Sequence, residues 1–196
     1  MVAQIKTTQV NATKAVPTDR AQQNRKKEKQ PPVTLTVTPP KGTIQVFIAP
    51  NRSLYADVIA QALRIAGQGT SVLVIQFFQG GINQGVANPR RLGENLEWLR
   101  CNVDRNIDDL ERELTEAEIE AVIELWQYAK TAIQNGDYGL VVLDEIGLAI
   151  ERSLFTETEL LEALEKRSSQ VDVMLTGASI SAKILDSADQ VTKRRS

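Results

Sequence analysis

Histidine is absent from the 196-residue sequence, and cysteine occurs once, at Cys101. Zinc sites and histidine-based acid–base mechanisms are therefore excluded, because they are built from these two residue types. A single cysteine cannot form an internal disulfide, and it favours a reducing, cytoplasmic setting. The groups that remain for chemistry are carboxylates, amides, hydroxyls and cationic side chains.

Long hydrophobic segments and a strong charge of either sign are absent too. No apolar run approaches the roughly 20 residues that span a bilayer, and the opening MVAQIKTTQV lacks the apolar stretch of a signal peptide. With a formal net charge of −2, we expect neither a membrane nor a nucleic acid as a partner. Hydrophobic residues make up 42% of the sequence, which predicts one globular domain with a sizeable core.

The charge is unevenly divided along the chain. Residues 1–41 hold eight Lys or Arg residues against two acids, and they are rich in Gln, Thr and Pro. This composition predicts a flexible basic N-terminal arm at residues 1–41, ahead of a folded domain at residues 42–196. The basic run RAQQNRKKEK is interpreted either as a clamp on an anionic partner or neighbouring subunit, or as a solubilising tail.

After the arm, strand patterns alternate with helical ones. Continuous apolar runs at residues 71–78 and 138–145 are typical of parallel strands that are buried on both faces, and residues 171–177 are predicted to form a further strand. Capping boxes predict that helices begin after Thr115 and Thr156. The alternation predicts an α/β fold with a mostly parallel sheet of about six strands. Ligands of such folds bind beyond the carboxyl ends of the strands.

The segment LVVLDE ends in two carboxylates, Asp144 and Glu145, directly after a buried strand. Nucleotide enzymes place carboxylates there, in a Walker B motif, because Mg²⁺ takes hard oxygen ligands and neutralises phosphate charge. The same pattern also fits two acids that cap or solvate the next helix. The pair is therefore a candidate metal site, with a purely structural role as the alternative.

The segment IAPNRSLYAD lies where a phosphate-binding loop belongs, between the first strand and the first helix. Such loops need glycines, so that consecutive N–H groups turn towards the phosphates, and a lysine for the terminal phosphates. This segment has no glycine, and Pro50 has no N–H. The candidate nucleotide contacts are Asn51, Arg52 and Ser53, since Arg52 is cationic and Ser53 lies near the helix N-terminus.

Polar residues also follow the second strand. Gln76, Gln79, Gly80 and Gly81 could line a ligand crevice, or they could belong to a flexible crossover loop. The sequence alone leaves these two interpretations open.

Five residues elsewhere carry weaker signals. Trp98 and Trp126 are interpreted as core aromatics, and Cys101 as a small buried hydrophobic residue. Arg90 and Arg91 are predicted to lie in a loop, where they either pair with a phosphate or face solvent.

Several motifs together resemble one family. The segments VIQFFQGG, LWQYAK, VVLDE, LTGAS and ILDSADQV, in this order, are similar to the P-loop corrinoid adenosyltransferases, over roughly residues 42–193. These RecA-like proteins transfer the adenosyl group of ATP to cob(I)alamin. The resemblance implies a three-layer RecA-like P-loop fold and places Glu145 at a metal-ligand position. It also implies ATP with Mg²⁺ and a corrinoid as ligands, and a homodimer in which the arm reaches the second subunit.

The departures from this family pattern fall on its chemistry. Ala49, Asn51 and Ser53 stand where the family has loop glycines. Leu54 replaces the phosphate-binding lysine, and Tyr55 replaces the metal-binding threonine. The segment CNVDRNIDD has no aromatic residue to cover a corrinoid, and the sequence ends at TKRRS, without the family's closing tail. These departures predict a degenerate Walker A loop.

Two functions follow from the resemblance. The first is a pseudoenzyme of the family that acts as a binding or regulatory subunit. The alternative is an active ATP:corrinoid adenosyltransferase that binds ATP through a non-standard loop, with Arg52 and Glu145 as its charged groups. Under either function the basic arm is a candidate docking segment for a protein partner, and we expect a cytoplasmic protein.

Overall fold

The structure is a computed structural model, and it describes residues 41–50, 55–81, 83–104, 106–107 and 112–194. The predicted N-terminal arm lies outside the described residues, apart from its final residue, and the arm and its boundary stay a prediction. Among the described helices, none is long and apolar enough to cross a membrane.

Within the described residues, seven strands form one sheet with helices on both faces. The strands are β1 (Ile44–Ile48), β2 (Val72–Gly80), β3 (Arg90–Leu92), β4 (Leu96–Cys101), β5 (Leu140–Asp144), β6 (Asp172–Gly177) and β7 (Gln190–Lys193). The helices are α1 (Tyr55–Gly67), α2 (Glu116–Asn135), α3 (Ile146–Glu151), α4 (Glu157–Glu165) and α5 (Ala182–Asp186). The sheet order is β3-β4-β2-β5-β6-β1-β7, and every pair is parallel except β3 with β4. The predicted three-layer α/β fold is confirmed.

Strand β3 is the element that the sequence did not predict. Arg90 and Arg91 were expected in a loop, but they pair antiparallel with β4, where Arg90 lies opposite Trp98. All three residues of β3 are exposed, so the run shows no buried alternation that would indicate a strand. Gly93, at a φ of 69°, lies in the turn between the two strands.

Helix α2 has the ends that its sequence predicts. Thr115 and Glu118 form a reciprocal capping box, and Gly136 ends the helix in the left-handed conformation. Trp126 is buried as predicted, whereas Ile123 on the same helix is 38% exposed. Since one residue turns a helix by about 100°, the buried stripe passes through Val122 and Trp126 and leaves Ile123 at its side.

The two faces of the sheet bury different side chains. On the face covered by α2, which we call the α2 face, Trp126 stacks on Phe155 at 4.2 Å between ring centroids. On the opposite α1 face, helix α1 buries only Val58, Ala62 and Ala66. Bulky apolar packing is therefore concentrated on the α2 face.

Candidate functional site at the carboxyl end of the sheet

Asp144 lies at the carboxyl end of β5 and is only 1% exposed. Its Oδ1 accepts a hydrogen bond of 2.6 Å from Thr176 Oγ1 on β6. Its Oδ2 accepts one of 3.3 Å from Gln76 Nε2 on β2. Strand β5 lies between β2 and β6, so the carboxylate is held by donors from both neighbours. These bonds offset the cost of burying a carboxylate.

Gln76 extends this arrangement to a fourth strand. Its Oε1 accepts hydrogen bonds from Trp98 Nε1 at 2.8 Å and from Arg100 Nε at 2.9 Å, both on β4. Indole and guanidinium nitrogens only donate, so the amide must turn its oxygen towards β4 and its Nε2 towards Asp144. We call the resulting set the carboxyl-end network: Gln76, Trp98, Arg100, Asp144 and Thr176.

The carboxyl-end network lies on the α1 face. Side chains alternate along a strand, and Val74 and Val142, two residues before Gln76 and Asp144, pack in the cluster formed by α1. Ala49 and Pro50, which follow β1, lie at this same edge of the sheet. Because β6 separates β1 from β5, these two residues and Asp144 follow strands on either side of the one that carries Thr176.

Glu145 turns the chain sharply after β5. Its φ of 60° and ψ of 40° are left-handed, a conformation that costs a non-glycine residue about 1–2 kcal/mol. Its N–H donates to Thr176 Oγ1 at 3.1 Å. The Thr176 hydroxyl therefore binds both the Asp144 carboxylate and the Glu145 backbone. Any side chain at Gly147 would collide with the carbonyl of Ser179. The start of α3 is thus packed tightly against the segment after β6.

None of the candidate nucleotide contacts is among the residues that the structure describes. Asn51, Arg52 and Ser53 lie outside the described residues, and their assignment stays a prediction. Helix α1 begins at Tyr55, which is half-buried and whose phenolic oxygen is buried. Asp57 is exposed in the first turn of α1, where a carboxylate neutralises part of the helix dipole.

The candidate crevice residues belong partly to a strand. Gln79 and Gly80 are the last two residues of β2, and only Gly81 follows it. The N–H of Gly80 donates to Asn106 Oδ1 at 3.2 Å, and the N–H of Gly81 donates to the Cys101 carbonyl at 3.0 Å. These bonds attach the end of β2 to the chain beyond β4, and the choice between a ligand crevice and a flexible crossover loop stays a prediction.

Comparison with known proteins identifies the family. Residues 41–196 match the family model described as ATP:corrinoid adenosyltransferase BtuR/CobO/CobP. The chain belongs to this family. The corrinoid adenosyltransferase of Escherichia coli strain K12 is 28% identical over 173 residues, which are 88% of this chain and 86% of that protein. The corrinoid adenosyltransferase of Pseudomonas aeruginosa is 25% identical over 154 residues, 78% of this chain and 74% of that protein.

A third corrinoid adenosyltransferase, CobA of Salmonella typhimurium, is 28% identical over 155 residues, 79% of this chain and 77% of that protein. The resemblance predicted from the sequence motifs is thus confirmed. Three of those motifs meet in the structure, since VIQFFQGG supplies Gln76, VVLDE supplies Asp144 and LTGAS supplies Thr176. The corrinoid adenosyltransferase motifs of this chain therefore build one connected hydrogen-bonded site.

Sequence reasoning missed the β4 side of this site. Trp98 was expected to be a core aromatic, but it is half-buried and its indole N–H donates to Gln76. Arg100 was not singled out at all. The sequence signal that could have identified Arg100 was its position two residues after Trp98, which places both side chains on one face of a strand. Trp126 and Cys101, by contrast, are buried as predicted, and burial raises the pKa of the Cys101 thiol to about 12.

The described residues offer few ligands for a metal ion. No group of three or more His, Cys, Asp or Glu side chains among them is arranged to hold one. Asp144 and Glu145 are adjacent in sequence, but Asp144 already accepts hydrogen bonds on both oxygens. The carboxyl-end network is suited to holding the ends of β2, β4, β5 and β6 in register.

Proposed function

We propose that this chain is a catalytically degenerate member of the corrinoid adenosyltransferase family that acts as a binding or regulatory subunit. The observation that carries the proposal is the loss of two side chains from the phosphate-binding segment. Leu54 stands in place of the lysine that meets the terminal phosphates, and Tyr55 in place of the threonine that binds the metal. An aliphatic side chain and a buried phenol supply neither function.

The carboxyl-end network supports the same proposal. Mg²⁺ requires a near-octahedral set of oxygen ligands, whereas the Asp144 carboxylate is engaged by two neutral donors, Thr176 and Gln76. Gln76 cannot turn away, because Trp98 and Arg100 hold its oxygen. These residues fit a hydrogen-bonded anchor better than a magnesium site, so we assign no step of adenosyl transfer to them.

Calorimetric titration of the full chain with ATP, with and without Mg²⁺, tests the loss of nucleotide binding. We expect millimolar or weaker affinity that Mg²⁺ does not change. The E. coli relative, titrated in parallel, is the positive control. Micromolar binding that requires Mg²⁺ would contradict the proposal.

A direct assay of adenosylcobalamin formation from ATP and cob(I)alamin tests the loss of catalysis. We expect no product above the protein-free reaction, while the E. coli relative forms product. Product that appears with this chain and disappears in Glu145→Gln would instead establish an active ATP:corrinoid adenosyltransferase with a non-standard loop.

We also propose that the basic arm gives this subunit its partner, an acidic protein surface on a second copy of the chain, in the cytoplasm. The charges support this, because the arm is basic while the remainder of the chain carries the excess of acids. Neutralising Arg25, Lys26, Lys27 and Lys29 to Gln should shift a homodimer towards monomer in sedimentation experiments, as should high salt. A dimer unaffected by both changes would rule out this role of the arm.

A further inference from the structure

The edge formed by β3 and β4 carries more positive charge than its partners neutralise. Arg91 forms an ion pair with Glu97 at 2.8 Å between Nη2 and Oε1. No acidic side chain in the described parts of the chain pairs with Arg90 or Arg100. Within the described residues, neither of these two guanidinium groups forms an ion pair with a carboxylate.

Arg100 is held in place by two contacts. Its Nε donates to Gln76 Oε1 at 2.9 Å, and its guanidinium carbon lies 5.3 Å from the centroid of the Trp98 ring. Trp98 is fixed in turn by its own bond to Gln76. Among the described residues, none accepts a hydrogen bond from Nη1 or Nη2 of Arg100. These two nitrogens form the fork that binds oxyanions in a bidentate manner.

Arg90 lies on the same face as this fork. It is directly opposite Trp98 in the antiparallel pair, and opposed residues project to the same side of a sheet. Arg100 is two residues beyond Trp98, so Arg90 and Arg100 are diagonal neighbours, about 7–8 Å apart at the backbone. Like charges on neighbouring side chains repel each other, and a bound anion would relieve that repulsion.

An open cleft adjoins Arg90. It has a volume of about 720 Å³ and is lined by Arg90 and Arg91 together with Asn83 and Asn88, with no acidic side chain in the described lining. The backbone N–H of Arg100 donates to the Gln84 carbonyl at 3.0 Å, which holds the segment containing both asparagines beside the end of β4. Amide N–H groups are suitable further donors to an oxyanion.

We propose that Arg90 and Arg100 form a binding site for the phosphate group of a small phosphorylated ligand. A phosphate carries two charges and several acceptor oxygens, which match two guanidinium groups and neighbouring amides. The site uses neither the segment after β1 nor a metal ion. It therefore does not depend on the proposed loss of ATP chemistry.

Calorimetric titration of the full chain with pyrophosphate, without Mg²⁺ and at low salt, tests this site. We expect binding that weakens at least tenfold in Arg100→Leu and severalfold in Arg90→Gln. Arg64→Gln, which removes an exposed charge from the last turn of α1, should leave the affinity unchanged within twofold. Equal binding by all variants, or no binding to the unmodified chain at millimolar pyrophosphate, would overturn the proposal.

Arg100→Lys separates geometry from folding. It keeps the charge but loses the planar fork, so we expect an intermediate affinity with an unchanged far-ultraviolet circular dichroism spectrum. Affinity equal to that of the unmodified chain would contradict the bidentate role.

Inorganic phosphate and ATP, as parallel probes, show which part of a ligand is recognised. Binding of ATP that ignores Mg²⁺ and is lost in Arg100→Leu belongs to this site. Binding of ATP that needs Mg²⁺ and survives Arg100→Leu would contradict the proposed degeneracy, and binding of phosphate or pyrophosphate that survives Arg100→Leu would overturn this site.

Discussion

The α1 and α2 faces of the sheet are stabilised by different kinds of interaction. The α2 face packs Phe77, Trp126 and Phe155 into one aromatic group, in which neighbouring ring centroids are 4.2 and 5.7 Å apart. The α1 face packs mainly aliphatic residues and ends in a buried polar network. Non-directional apolar packing dominates one face and directional hydrogen bonds the carboxyl end of the other. We therefore expect mutations on the two faces to destabilise the protein for different reasons.

The largest effect should come from the α2 face. Trp126 is 1% exposed and stacks on Phe155 at an angle of 16°. Trp126→Ala removes this side chain and leaves a cavity, so we expect a loss of about 3–5 kcal/mol in the free energy of unfolding. Urea denaturation followed by circular dichroism measures it. Ile123→Ala, on the exposed side of the same helix, should cost less than about 0.5 kcal/mol, and similar losses for both would show that the packing is not concentrated at Trp126.

The next effect should come from the carboxyl-end network on the α1 face. In Asp144→Asn, one orientation of the amide opposes its nitrogen to Gln76 Nε2, and the other turns the nitrogen towards Thr176 Oγ1, whose hydroxyl then loses Asp144 as its acceptor. Gln76 cannot reverse its own amide without opposing Trp98 and Arg100. We expect a loss of about 1–3 kcal/mol for the unsatisfied donors, measured by the same denaturation experiment.

Asp186→Asn, at an exposed carboxylate in α5, is the matched control and should be neutral. A gain of stability in Asp144→Asn would be the opposite result. Carboxylates retained for catalysis at the expense of stability behave in that way, so a gain would favour an active site over a structural anchor.

The elements that sequence patterns predicted are those whose signals are local. The buried strands β5 and β6 are nearly continuous apolar runs, and the helices α2 and α4 begin with capping boxes that are present in the structure. The motif LVVLDE was identified for the same reason, because its apolar run and its two carboxylates lie in one short segment. The segment LTGAS was recognised only through the family resemblance.

What the sequence did not predict depends on pairing between distant segments. Arg100 meets Gln76 because β2 and β4 pair with these two residues in register, and no local pattern encodes that pairing. Strand β3 is short and fully exposed, so only its pairing with β4 identifies it as a strand. The left-handed conformation of Glu145 is likewise imposed by its surroundings, since a non-glycine residue rarely adopts it.

The smallest effect concerns a polar contact at the rim of the α2 face. The Tyr138 hydroxyl donates to Glu97 Oε2 at 2.7 Å and lies 2.9 Å from the Tyr128 hydroxyl on α2. Tyr138→Phe removes both bonds, and we expect a loss of about 1 kcal/mol at pH 7. Tyr128→Phe, which leaves the bond to Glu97 intact, should cost less. Equal costs would indicate that the bond to Glu97 adds nothing.

The pH dependence of that loss distinguishes hydrogen bonding from packing. Burial, followed by the bonds to Tyr128 and Glu97, raises the pKa of Tyr138 above its ordinary value, which is about 10. A group whose pKa is higher in the folded state contributes its full stability below the unfolded pKa and loses it as the pH rises further. The difference between the unmodified chain and Tyr138→Phe should therefore stay constant up to about pH 9 and shrink above about pH 10. Urea denaturation across this range measures it, and a difference that grows with pH would contradict the assignment.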